Sequence, residues 1–175
     1  EIAKLDGMSP EVKIIPFRGE YYKLRDSKKE ILNNMIYPLA DPDLPFLGIH
    51  LTKTANGDIE AGPNAVLAFS KEGYKWTDIN FVDLTKVLTF PGMIKLGKKY
   101  FKTGISEMYR SLNKNVFVKE IQKLIKGVDP RDIQQIPSGV RAQAVDKAGN
   151  LVDDFLFEEG DNSLHVLNSP SPAAT

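Results

Sequence analysis

Phe46-Leu-Gly-Ile-His-Leu-Thr-Lys-Thr-Ala-Asn-Gly-Asp-Ile-Glu-Ala61 decides the class of this chain. From Phe46 to Thr52 the side chains alternate between two faces of a strand. Leu47, Ile49 and Leu51 form one apolar face, while Phe46, Gly48, His50 and Thr52 form a mixed face of the kind met where a sheet touches a ligand or solvent. Asn56-Gly57 then signals a two-residue hairpin leading into Ile59-Glu-Ala61, so neighbouring strands run antiparallel.

Strand signals also precede this hairpin. Val12 to Phe17 is apolar and β-branched, and Glu20-Tyr-Tyr-Lys-Leu24 follows Gly19, which is expected to mark a bulge or a close approach. The middle of the chain changes period. Phe81, Leu84, Val87 and Leu88 fall on one helical stripe, Pro91-Gly92 breaks it, and Ile105, Met108, Tyr109 and Leu112 form a second. Phe117, Ile121, Leu124 and Ile125 form a third, stopped by Gly127. All three stripes are expected to face the core. Strands return at Ile133 to Val145, which a turn over Asp146 to Asn150 should join to Leu151 to Glu158 as a hairpin. Leu164 to Leu167 is a last short strand.

Strands, a helical block and strands again predict an α+β fold, with a mixed, mainly antiparallel β-sheet flanked by helices and covered by them on one side. No glycine-rich strand-to-helix turn of the dinucleotide-binding type is present. The chain has 175 residues, with 23 basic and 23 acidic side chains, so its net charge gives no general attraction to nucleic acid. It has no cysteine, which excludes disulfides, thiolate zinc sites and cysteine nucleophiles. With only His50 and His165, a histidine-rich metal site is not expected.

Gly139-Val-Arg-Ala-Gln143 carries the leading candidate for binding. On a strand, Arg141 and Gln143 share a face, and a guanidinium there can grip a carboxylate through two parallel hydrogen bonds. On spacing alone, a surface arginine in an ion pair is the commoner outcome. His50 could act as a base near neutral pH, against the alternative of an exposed or structurally bonded ring. Arg18, Glu20 and Tyr22 share a face, where an ion pair across a kinked strand is the plain reading. Asn64, in Gly62-Pro-Asn-Ala65, has turning or capping as its usual work. Asp153 and Asp154 point to opposite faces and form no shared site.

Taken in order, several motifs become specific together. Ile15-Pro-Phe-Arg-Gly-Glu-Tyr21, Ile36-Tyr-Pro38, Pro45-Phe-Leu-Gly-Ile-His-Leu-Thr52 and Gly62-Pro-Asn-Ala-Val-Leu-Ala-Phe69 are followed by Glu72-Gly-Tyr74 and Glu107-Met-Tyr109. Gly139-Val-Arg-Ala-Gln-Ala144, Gly149-Asn-Leu-Val-Asp-Asp-Phe155 and His165-Val-Leu-Asn-Ser-Pro-Ser-Pro-Ala-Ala-Thr175 complete the series. The set resembles the L-2-hydroxyglutarate oxidase and dehydrogenase family, within the wider D-amino-acid oxidase and glycine oxidase superfamily.

The resemblance implies an FAD-dependent oxidoreductase that oxidises L-2-hydroxyglutarate to 2-oxoglutarate by hydride transfer to the flavin. Residues 1–175 would be its substrate-binding domain, cut at both ends from a longer polypeptide whose FAD domain is missing, so the chain alone is expected to be inactive. Arg141, with Gln143, would hold a substrate carboxylate, and His50 would be the catalytic base. Tyr22 and Asn64 would be pocket residues, with Arg18 and Arg110 available for the second carboxylate. Asn168, Ser169, Ser171, Ala173 and Ala174 would neighbour FAD. The expected partners are a small 2-hydroxyacid, the missing FAD domain and, through the uncovered domain face, a second copy. The expected location is cytoplasmic or peripheral to an inner membrane. Glycerol 3-phosphate or an amino acid as substrate, and a non-catalytic dicarboxylate-binding module, are the alternatives.

Overall fold

The computed structural model describes residues 2–39 and 48–169. In chain order its elements are α1 (Ile2–Leu5), β1 (Val12–Leu24), β2 (His50–Lys53), β3 (Ile59–Gly62) and β4 (Val66–Leu67), then the helices α2 (Phe81–Leu88), α3 (Pro91–Lys99), α4 (Phe101–Leu112) and α5 (Lys114–Leu124), and finally β5 (Ile133–Asp146), β6 (Leu156–Glu159) and β7 (Leu164–Asn168). Every paired strand runs antiparallel, so the fold is α+β, as the hairpin pattern predicts.

The two runs on either side of Gly19 form one 13-residue strand, β1, rather than two. β5 pairs with β1 along its whole length, from Val12 opposite Asp146 to Leu24 opposite Ile133. The irregularity expected at Gly19 lies mainly on β5. Gly19 faces Gly139 and Tyr21 faces Ile136, so β5 carries the extra residue and β1 keeps its alternation. The other edge of β1 is shared by β3, opposite Tyr22 and Lys23, and by β4, opposite Phe17 and Arg18.

Because the alternation is unbroken, β1 separates two cores. Tyr22 and Leu24 point to one face, where they meet Leu51, Ile59, Ala61 and the α5 side chains Phe117, Val118 and Ile121. Ile15 and Phe17 point to the opposite face and pack with Val87 of α2, Leu96 of α3 and Val145. Helices therefore cover both faces, at different ends of the strand, rather than one side only. The open stretch lies on the Ile15 face, beyond the reach of α2 and α3.

Several local expectations are corrected. The β2–β3 loop holds three residues rather than two: Thr54 and Asp58 close it, Gly57 N–H donates to Thr54 O at 2.9 Å, and Gly57 takes φ +79°. Pro91 is the first residue of α3 as well as a break, since a missing N–H is harmless there. The α5 stripe is buried as expected, but Phe81, Leu88, Ile105, Met108, Tyr109 and Leu112 on the other two stripes are exposed. Apolar spacing gives the helix and its face, while burial needs a neighbour: Val87 on the α2 stripe finds one in the Ile15–Phe17 core, and the exposed residues just named do not. Leu151 to Glu158 does not return as a hairpin on β5. Leu151 makes one bridge to Val145, and β6 pairs with β7 in a separate two-stranded sheet.

Three aspartates fasten this frame. Backbone and side-chain N–H groups of Asn150 hold the Asp146 carboxyl below the ordinary carboxylate range, and the Asp129 backbone N–H does the same for Asp132. Lys23 and Lys29 hold Asp58 down. A carboxyl depressed in the folded state contributes stability above its unfolded pKa of about 3.9 and loses it as pH falls through its folded value. Urea midpoints should therefore be flat above roughly pH 5 and fall below roughly pH 4. Asp146→Ala should flatten part of that fall.

Candidate functional site on the open sheet face

His50 and Arg141 come to the same face from strands at opposite sides of β1. His50 pairs with Gly62 on β3, one residue past the Ala61–Tyr22 pair, which places its ring with Tyr21 and away from the Tyr22 core. Arg141 pairs with Phe17, on the same odd-numbered face of β1. The Arg141 side chain is exposed, and its charge reaches His50. Between them lie Tyr21 and the two facing glycines, Gly19 and Gly139. Gly19 is closed over by Pro63, while a Cβ built on Gly139 would meet no atom within 4 Å.

His50 is half-buried. Burial holds its pKa below the usual histidine range, the Gly48 carbonyl pulls it upward, and the Arg141 charge pushes it down again. The ring is therefore neutral at physiological pH, the state a proton acceptor requires. Its Nδ1 lies 3.3 Å from Gly48 O, and Tyr37 is stacked on it with ring centroids 4.5 Å apart. Gln143 shares the Arg141 face, where its amide Nε2 donates to Val152 O at 3.2 Å, so it braces the segment after the β5 turn.

Other candidate residues lie elsewhere. Tyr22 is buried in the α5 core, its ring centroid 4.5 Å from that of Phe117, and does not reach this face. Asn64 is buried and spent on Glu20: its Oδ1 accepts from Glu20 N–H at 2.8 Å and its Nδ2 donates to Glu20 Oε2 at 2.9 Å. Asn168 donates through Nδ2 to Val152 O and Asp154 O. Ser169 is exposed, and Ser171, Ala173 and Ala174 lie outside the described residues. Neither arginine suggested for the second carboxylate is available. Arg18 is 1% exposed and paired with Glu20 at 3.1 Å, and Arg110 sits between Glu107 and Glu120. His165 lies in the β6–β7 sheet, where its Nε2 is 2.8 Å from Asp6 Oδ2 and 3.1 Å from Ser163 Oγ. Both partners meet one nitrogen, which makes a surface tie between the chain's two ends rather than a proton relay. Among the described residues, no group of three His, Cys, Asp or Glu side chains could hold a metal, and no helix is long and apolar enough to cross a membrane.

Sequence reasoning missed Tyr37 as a site residue and missed the extent of the Glu20 network. Glu20 accepts from Arg18 and Asn64, and from Ser111 Oγ on α4, while Ser111 accepts from Trp76 Nε1 at 3.0 Å. The Arg18 guanidinium lies 4.5 Å over the Trp76 ring. Spacing did reveal the Arg18–Glu20 pair, but residues 44 to 91 positions away cannot be read from it. Glu20→Ala would leave a buried guanidinium without its partner and should lower stability by about 3–5 kcal/mol. Urea unfolding of the variant measures this, and a loss below about 1 kcal/mol would mean the pair is solvated.

No family model matches the chain. It is 50% identical over 167 residues to the L-2-hydroxyglutarate dehydrogenase of Indibacter alkaliphilus, a match covering 95% of this chain and 42% of that protein. It is 44% identical over 179 residues to the human mitochondrial L-2-hydroxyglutarate dehydrogenase, covering 99% of this chain and 39% of the relative. The Escherichia coli K12 protein of the same name is 43% identical, covering 99% and 41%. Over nearly its whole length the chain is therefore homologous to L-2-hydroxyglutarate dehydrogenases, and it spans about two fifths of the length of these relatives.

Proposed function

We propose that residues 1–175 form the substrate-binding domain of an FAD-dependent oxidoreductase that converts L-2-hydroxyglutarate to 2-oxoglutarate. The observation that carries this reading is the placing of a half-buried histidine and an exposed arginine on one sheet face. The relatives' names supply the substrate. Arg141 holds the C1 carboxylate and so sets the C2 hydroxyl toward His50, which takes the hydroxyl proton. A bound flavin would supply the acceptor for the C2 hydrogen, which would leave as hydride.

The chain's residues fit the roof of a flavin site rather than its cradle. Open space beside Gly139 allows a flat ring system to approach the sheet. No described strand-to-helix turn offers a phosphate cradle. The Asn168 side chain is occupied by Val152 O and Asp154 O, which leaves Ser169 as the described residue of that segment free to border the ring. Among the described residues, the face carries one exposed arginine, with Lys23 committed to Asp58, rather than a dense basic cluster, which favours a carboxylate over a phosphate substrate.

The exposed apolar stripes on α2 and α4 complete the reading. They are the surface that would meet the FAD domain in the intact enzyme, or a second copy when this chain stands alone. Light scattering on the chain should show a dimer at high concentration, and a strict monomer there would remove self-association.

The deciding experiment adds L-2-hydroxyglutarate without oxygen to the FAD-loaded, full-length protein. Bleaching of the flavin absorbance is expected. Arg141→Ala should weaken substrate binding by roughly 10- to 100-fold with FAD retained, the loss of about 1.5–3 kcal/mol given by a charge-assisted pair. A yellow protein that this substrate does not bleach would keep the fold and discard the substrate.

A further inference from the structure

His50 has two ring nitrogens, and only one can act as a base. Its Nδ1 is 3.3 Å from Gly48 O. A carbonyl oxygen only accepts hydrogen bonds, so this contact forms when Nδ1 carries the hydrogen. The lone pair of the neutral ring then sits on Nε2. Gly48 takes φ +86°, a backbone conformation that glycine adopts without strain and other residues rarely share. The direction of its carbonyl therefore depends on that glycine.

The flat side of the ring is held by Tyr37, whose plane is inclined 24° to that of His50. Tyr37 is placed by its neighbour. Ile36 exchanges both backbone hydrogen bonds with Leu51, each 2.9 Å, in an isolated antiparallel bridge. Ile36 thus shares the core face with Leu51, and the next residue turns to the face of His50. The Tyr37 ring is half exposed, and its hydroxyl donates to Met35 Sδ at 3.6 Å rather than to His50.

We propose that Tyr37 is a positioning residue which, with the Gly48 carbonyl, fixes His50 as the Nδ1–H tautomer and presents Nε2 as the proton acceptor. This rests on the reading of His50 as the base and adds which atom serves and what holds it. Among the described residues, the charged and titratable groups sharing this face are Arg141 on β5, Tyr21, Lys23 and, at the α2 end, Lys13 on β1, Glu60 on β3 and Tyr37 itself. Lys23 is committed to Asp58 at 2.6 Å, while Arg141 opposes a proton on the ring.

Long-range proton–nitrogen NMR of the full chain tests this without any substrate, with the His50 signals assigned by their loss in His50→Gln. The wild type should show a protonated Nδ1 and an unprotonated Nε2 above the titration. Tyr37→Phe keeps the ring and should leave tautomer and pKa unchanged. Tyr37→Ala admits water, so the His50 pKa should rise toward the ordinary value of about 6.5 and the tautomers should mix. A wild-type ring protonated at Nε2, or a Tyr37→Ala variant matching Tyr37→Phe, overturns the proposal. The wild-type measurement stands even if a variant misfolds. Substrate that fails to bind beside the expected tautomer removes the substrate reading and leaves the clamp. Substrate that binds beside an Nε2–H ring does the reverse.

Discussion

Glu20 is buried, and its carboxylate joins parts of the chain that no single strand or helix could bring together. It accepts from Arg18 on its own strand, from Asn64 after β3 and from Ser111 on α4, and Ser111 passes the connection to Trp76. A buried carboxylate needs such partners, because an unpaired charge in a dry interior is far less stable than one in water. Arg18 needs them equally. Its Nη1 has no hydrogen-bond partner among the described residues, so the remaining contacts to Glu20 and the Trp76 ring carry its charge. The network is best regarded as fixing one arrangement of loop, sheet and helix rather than as a large source of net stability.

That arrangement reaches the candidate site through Gly62, Pro63 and Asn64. Asn64 clamps Glu20, which holds the loop after β3 against β1. Pro63 closes over Gly19, where a Cβ would come within 2.7 Å of the proline Cβ. Gly62 is the residue paired with His50. The histidine is thus set by the strand whose end the buried network pins, although no member of that network lies on its face. Asn64, expected as a pocket residue, works one step behind the pocket.

The long strand β1 divides the work between its faces. Its even residues run from Arg18 and Glu20 to Tyr22 and Leu24, all buried toward α4 and α5. Its odd residues begin in the α2–α3 core at Ile15 and Phe17, pass beneath Pro63 at Gly19 and emerge at the partly exposed Tyr21. One strand therefore builds a core on either side and leaves a floor where the helices stop. The extra residue in β5 opposite this point leaves β1 straight in register and puts the irregularity beside Gly139, where an added Cβ would meet no atom within 4 Å.

Much of this was written in the local sequence. Alternation gave the strands, the Asn56-Gly57 turn gave antiparallel pairing, and the 3.6-residue stripes gave the helices, because each depends on near neighbours along the chain. The ordered motifs also gave the family that the relatives' names repeat. Period alone could not say how much of an apolar stripe is covered: α2 buries Val87 but leaves Phe81 and Leu88 exposed, and the α4 stripe lies exposed. It also could not separate Tyr21 from Tyr22, since which face of a strand is the core depends on what packs there. The stacking of Tyr37 on His50, the Glu20 network and the turning away of β6 from β5 are decided by contacts between distant segments. Those contacts arise only when the tertiary structure sets one backbone against another.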